Sequence, residues 1–300
     1  MLLHIDTDMG VDDGLALFIA SRLAEVQIIG VSTVFGNVDR ESATLNAQLF
    51  RRLLLADWPI YSGAAEPTRG PRRNAARVHG EDGLGGATKL PDLAEYMHQA
   101  AETKVLPLSS LPRTGAPVTI LGLGPTTNIP TIVEHYGREN VAAIVVMGGV
   151  FFDQGNISKT AEFNAGCDPD ALQRVSELDI PFTMVPLDVT TKVLLPRGTV
   201  RAWAHDSPIM DLIGTSHMYY MDQYQTWEAI DGCFPHDSIA LLAAIYPERF
   251  WRLPGLIEVA QDGTTRILPD ERSSAGIVTG GDLRFVRLGL QRLQFDGGSR

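Results

Sequence analysis

The chain has 300 residues, with 25 Lys plus Arg against 36 Asp plus Glu, giving a formal net charge of −11. At 44% apolar and 20% charged it is globular in composition, and its acidity excludes the basic face that a nucleic-acid binder needs. No run of roughly 20 apolar residues offers a membrane span, the first residues lack the charged stretch and small-residue cleavage site expected of a leader, and Cys167 and Cys233 alone cannot frame a disulfide scaffold, so a reducing, cytoplasmic setting is expected.

In chain order, residues 2–5 form a short apolar run ending in Asp6. Asp12 then opens a stretch with Leu15, Ala16, Ile19, Ala20 and Leu23 at helical spacing. Residues 28–35 are β-branched and strand-like, and Leu45, Leu49, Leu53 and Ala56 mark a second helix. The alternation continues with strands at 118–123, 141–147 and 182–187 and helices at 128–136, 168–178 and 238–245. Pro130 is tolerable only in the first turn of its helix. Strands alternating with helices predict an α/β fold with a mainly parallel central sheet, in one domain over residues 1–300. Two stretches break the rhythm and read as long loops or excursions: 63–96, rich in Gly, Pro and Arg, and the aromatic stretch 204–235.

The strongest chemical signal is Asp6-Thr7-Asp8-Met9-Gly10-Val11-Asp12-Asp13. Its four carboxylates repel one another, and a helix N-terminus offsets only about half a charge. A divalent metal is the natural remedy, and an all-oxygen donor set favours Ca²⁺ or Mg²⁺ over zinc. A solvated acidic turn with a helix cap is the plainer alternative. The run is no EF-hand, because the twelfth position from Asp6 is Leu17 rather than Glu. It is no haloacid-dehalogenase motif either, because Met9 interrupts Asp-x-Asp-Gly-Thr.

Other polar groups lie where strands should end: Gly36-Asn37, Gly124-Pro125-Thr126-Thr127-Asn128 and Met147-Gly148-Gly149. Strand carboxyl ends in a parallel sheet share one edge, so these segments should ring one crevice with the Asp cluster. Asn156 and Glu162-Phe163-Asn164 offer mixed donors and acceptors, suited either to sugar hydroxyls or to bracing a loop. His236-Asp237 precedes an apolar helix, where Asp237 can cap the helix or complete a metal site.

In this order, together with His79-Gly80-Glu81-Asp82-Gly83-Leu84-Gly85, these motifs resemble those of the inosine-uridine-preferring nucleoside hydrolases, from about residue 2 to about residue 260. The resemblance implies hydrolysis of the N-glycosidic bond of ribonucleosides at a Ca²⁺ held by Asp8, Asp13, Asp237 and the Leu123 carbonyl. It makes Asp8 the base toward a metal-bound water and Asp6 a supporting residue. Asp12, Asn37, Asn156, Glu162, Asn164 and the Met147 backbone match positions that hold ribose. His236 is the implied acid for the leaving base, kept protonated by its carboxylate neighbour, and His79 is a second histidine near the base. Tyr220, Tyr224 and Trp227 fall where the family closes over the base, either to stack on it or as plain core. Arg69, Arg72, Arg73 and Arg77 read as a solvated loop face. A homodimer or homotetramer is the family expectation for assembly. Two other readings use the same crevice: a catalytically weak binder of ribosyl ligands, and an Mg²⁺-dependent phosphatase-like enzyme, the latter without a P-loop sequence.

Overall fold

β-branched and aliphatic runs pair edge to edge into a ten-stranded sheet in a computed structural model that describes residues 1–203 and 207–292. The strands, in chain order, are β1 (Leu2–Thr7), β2 (Gln27–Thr33), β3 (Ile60–Ser62), β4 (Val105–Pro107), β5 (Val118–Gly122), β6 (Val141–Met147) and β7 (Phe182–Val185). They are followed by β8 (Leu195–Pro196), β9 (Gly232–Cys233), β10 (Phe250–Val259), β11 (Thr265–Pro269) and β12 (Ala275–Gly281). Across the sheet the order is β11-β10-β12-β7-β6-β5-β1-β2-β3-β4, with β8 and β9 paired apart. From β12 to β4 every neighbouring pair is parallel, while β10 and β11 run antiparallel at one edge.

The chain starts at β1, winds outward through β2, β3 and β4, then returns to place β5 on the other side of β1. That reversal opens a crevice at the carboxyl ends of β1 and β5, which is where open α/β sheets bind ligands. Helices cover both faces. On β5, Val118 and Ile120 enter one core while Leu121 enters the other. Burial on both faces explains why these strands read as near-continuous apolar runs.

The helix Val11–Arg22 is buried from Val11 to Ala20 and packs against the helix His236–Ile245. Gly14 lets it approach the helix Arg40–Leu53, since a Cβ at Gly14 would lie 2.5 Å from Cζ of Phe50. This packing fixes the two acidic residues of its first turn relative to Asp237.

The mainly parallel sheet matches the sequence expectation, with local corrections. The excursion at 204–235 is helical over most of its described part, as the helix Pro208–Glu228, and residues 204–206 lie outside the described residues. Its pattern is hard to read because one helix buries apolar residues, tyrosines and His217 together. The stretch 63–96 contains a short helix, Ala76–His79, and 3₁₀ turns. The helix expected at 238–245 begins at His236, so Asp237 sits inside its first turn instead of capping it. The strand expected to reach residue 187 ends at Val185, and Leu187 opens a helical turn. Beyond residue 260, where the family resemblance adds little, the chain still contributes β11 and β12 to the sheet. Both cysteines are buried and unpaired.

Phe50 is 1% exposed against the helix that carries Asp12 and Asp13. Phe50→Ala is expected to lower unfolding free energy by about 3–5 kcal/mol in urea titrations. A loss below about 1 kcal/mol would contradict the packing described.

Candidate active site

The carboxylates of Asp12, Asp13 and Asp237 converge in the crevice, with ligand oxygens within 4.8 Å of one another. They come from the first turns of two helices whose N-termini face the same point. Two helix dipoles together offset about one charge, too little for three carboxylates. Asp8 and Asp13 are fully buried, while Asp12 and Asp237 surface on the floor of a cavity of about 570 Å³. The resemblance implies Asp8, Asp13, Asp237 and the Leu123 carbonyl as the metal set; in the structure Asp12, Asp13 and Asp237 meet at the floor, and Asp8 stands beside Asp13.

Asn37 ties those two together. Its side-chain amide donates to Asp8 Oδ1 at 3.0 Å and to Asp13 Oδ2 at 3.1 Å, and its backbone N–H donates to Asp8 Oδ2 at 2.7 Å. Thr7 Oγ1 and the Gly10 N–H donate to the two oxygens of Asp13. The strand-end glycines make room: a Cβ at Gly36 would collide with Asp8, and one at Gly124 would lie 2.9 Å from Asp8 Cγ. Asp6 braces the floor from below, accepting from Ser32 Oγ and from Asn128 Nδ2.

Burial pushes the Asp8, Asp12 and Asp237 carboxyls well above the ordinary range. Mutual repulsion adds to this, from Asp13 at Asp8 and Asp12, and from Asp12 first at Asp237. Burial also raises Asp6, to about 7. An all-oxygen, negative and buried donor set fits a hard divalent cation such as Ca²⁺ or Mg²⁺.

One wall of the cavity comes from the ends of β5 and β6. Asn164 Nδ2 donates to the Leu123 carbonyl at 2.8 Å and to the Met147 carbonyl at 3.2 Å. Glu162 is buried and caps the helix Phe163–Cys167, accepting from Asn164 N, Ala165 N and Gly149 N. Both side chains therefore brace the turns while lining the cavity with Asn37. Asn156 also lines it, from an exposed loop.

Aromatic and imidazole groups form the opposite wall. Tyr220 and Tyr224, one turn apart on the helix Pro208–Glu228, meet edge to face at 5.0 Å. Their hydroxyls are 3.4 Å apart, and the Tyr224 hydroxyl lies 3.0 Å from His236 Nε2. His236 Nδ1 contacts Thr190 Oγ1 at 2.7 Å. The expectation that Asp237 keeps His236 charged is corrected, because burial lowers its pKa to about 4. His79 is likewise lowered, to about 3, mainly by burial, and a proton on it would be further opposed by the nearby imidazoles of His236 and His217. Its Nδ1 accepts the Val11 N–H at 3.1 Å, which places the proton of the neutral ring on Nε2. Its ring lies 4.9 Å from Tyr220.

Arg72, Arg73 and Arg77 are exposed on the loop face, as expected, and also border the cavity; Arg77 stacks 3.9 Å over Trp227. Arg69 instead pairs with Asp170 at the surface. Composition hid these roles because a loop of Gly, Pro and Arg carries no period from which a facing side can be read. Phe234 packs against Tyr224 and His236, and Thr190, which touches His236 Nδ1, is a contact that no motif marks.

A parallel α/β sheet whose switch point holds buried carboxylates beneath a polar and aromatic cavity is here the frame of a glycosidase acting on N-glycosyl compounds. The model of the inosine-uridine preferring nucleoside hydrolases matches residues 3–284, and the chain belongs to that family. Uridine nucleosidase 1 of Arabidopsis thaliana is 33% identical over 272 residues, covering 87% of this chain and 79% of the relative. A non-specific ribonucleoside hydrolase of Klebsiella pneumoniae is 31% identical over 264 residues, covering 87% and 84%. The solved structure of a purine-preferring ribonucleoside hydrolase from Gardnerella vaginalis superposes with a TM-score of 0.81 at 25% identity, over 98% of both chains.

The raised carboxyls set the sign of a pH effect. A folded pKa above the unfolded value means that the folded state binds protons more tightly, so stability falls as pH rises above the ordinary 3.8. Chelator-treated protein is expected to melt at a higher temperature near pH 5 than near pH 8, and saturating divalent metal should remove most of the difference. A pH-independent melting temperature without metal would contradict the cluster's repulsion.

Proposed function

We propose that this nucleoside hydrolase cleaves ribonucleosides to ribose and free base at a calcium centre on the cavity floor. The observation that carries the reading is the meeting of Asp12, Asp13 and Asp237, from opposite ends of the chain, directly below the cavity. Asp8, Asp13, Asp237 and the Leu123 carbonyl are the groups assigned to hold the ion. Calcium, when bound, supplies the positive charge that cancels the carboxylates and acidifies water at the floor.

Cleaving the N-ribosidic bond builds positive charge on the anomeric carbon, while the bonding pair leaves with the base. Asp8 takes the proton of the attacking water as oxygen bonds to that carbon, and its orientation comes from the two Asn37 donors. Asp12, Asn37, Asn156, Glu162, Asn164 and the Met147 backbone bind the ribose hydroxyls and fix the ring over the base. Negative charge on the carboxylates also favours the cationic sugar of the transition state over the neutral substrate. The departing base meets the aromatic wall, where Tyr220, Tyr224, His79 and His236 offer stacking faces and hydrogen bonds, and Trp227 lies at the rim. The departing base takes its proton through the chain of His236 and Tyr224, which recovers one from solvent while Asp8 gives up the proton it took from water.

Asp8→Asn is expected to keep the far-ultraviolet circular dichroism spectrum while reducing kcat on uridine by about 10²–10⁴-fold. Turnover within threefold of wild type would remove Asp8 from the reaction. A separate test replaces the sugar. A site built to bind the 2′-hydroxyl should reject 2′-deoxyuridine by about 10⁴-fold or more in kcat/KM; equal rates on the two would contradict the ribose assignment.

A further inference from the structure

We infer that Asp168 is a positioning residue for substrate binding, holding one end of the loop wall of the cavity through Thr68 and Thr127. The sequence marks Asp168 only as the start of a helix, and it does cap Pro169–Ser176 by accepting from Ala171 N at 3.1 Å through Oδ1. A cap needs only that one oxygen. The other, Oδ2, accepts from Thr68 N at 2.8 Å, Thr68 Oγ1 at 2.9 Å and Thr127 Oγ1 at 2.8 Å. The residue is 1% exposed, although Thr68 itself is an exposed loop residue.

These bonds join three pieces of the site. Thr127 belongs to the turn that follows the Leu123 carbonyl, and Asp168 directly follows the helix that carries Asn164. Thr68 opens the strap that presents Arg72 and Arg73 to the cavity. Asn128, in the same turn as Thr127, makes a second attachment by accepting from Ala64 N at 2.8 Å. The far end of the strap is held by Ala75 N donating to the Asn37 carbonyl and by Val11 N donating to His79. Between these ends, Arg72, Arg73 and Asn74 are exposed and line the cavity. The strap is thus a wall fixed at its two ends, and Asp168 grips the upstream one.

The chemistry of the junction decides the test. In Asp168→Asn the side-chain oxygen can still cap the helix, but an NH₂ group then faces the Thr68 N–H, donor against donor. The wall loosens while the carboxylates of the floor keep their partners. With uridine as substrate, Asp168→Asn is expected to raise KM about tenfold or more and to leave kcat within about threefold. Thr68→Val and Thr127→Val leave the cap intact, and each should raise KM by about threefold with an unchanged melting temperature. Asp168→Asn combined with Thr68→Val should show less than the product of the two effects, because both remove one shared junction. Amide hydrogens of residues 69–75 should exchange faster in Asp168→Asn, while those of β1 and β5 should not.

This inference rests on the proposed nucleoside site, and wild-type turnover separates the two. If wild type hydrolyses uridine but all three single variants keep its KM within twofold, Asp168 is a helix cap and nothing more, and the inference falls alone. Equal losses of kcat and melting temperature in Asp168→Asn, with Thr68→Val and Thr127→Val silent, overturn it in the same way. A wild type that releases base from no ribonucleoside overturns the underlying reading.

Discussion

The structure turns on a concentration of like charge that folding alone does not relieve. Asp8, Asp12, Asp13 and Asp237 are all buried, and the last three crowd their oxygens into one small volume. Water, which would normally screen them, is excluded from most of that volume. Two helix N-termini and the Asn37 amide return only part of the lost solvation. Such a cluster is an unstable design for a bare protein and a suitable one for a dication, which exchanges repulsion for four or more attractive contacts. In the proposed reaction the same surplus of negative charge lies beneath a sugar that becomes cationic as its bond to the base breaks.

The fold concentrates this charge cheaply because the topology does the long-range work. β1 and β5 are neighbours though more than a hundred residues apart, and their carboxyl ends open on the same edge. Helix His236–Ile245 crosses to the helix Val11–Arg22, bringing Asp237 to the products of the first strand. Glycines at 36 and 124 leave the space that Asp8 occupies. A side chain at either position would displace the carboxylate instead of disturbing a distant core.

Much of this was legible in the sequence, for identifiable reasons. Carboxylates at an apolar strand end are rare enough to announce a charge problem, so Asp8, Asp12 and Asp13 stood out, and parallel α/β topology forces strand-end segments together. The particular partners were not legible. The resemblance places Asn37 and Glu162 at sugar-binding positions, and in the structure each spends hydrogen bonds on the protein, Asn37 on two aspartates and Glu162, in the bracing role its residue type also allows, on three backbone N–H groups. A linear pattern cannot say which of several acceptors an amide will find. The charge state expected for His236 differs because a neighbour in sequence need not be a neighbour in electrostatics: burial, beside Tyr224 and Thr190, lowers its pKa. The helix Pro208–Glu228 escaped because it buries polar and aromatic residues together and so lacks a clean apolar stripe. Arg77 escaped for a related reason, since its partner Trp227 lies 150 residues away on that helix.

The most direct test is crystallographic: the protein crystallised with calcium, with the ion located by its anomalous signal. One ion is expected beneath the cavity, about 2.3–2.6 Å from carboxylate oxygens of Asp8, Asp13 and Asp237 and from the Leu123 carbonyl. A crevice in which those side chains diverge, or in which calcium binds elsewhere and leaves them unligated, would contradict the account.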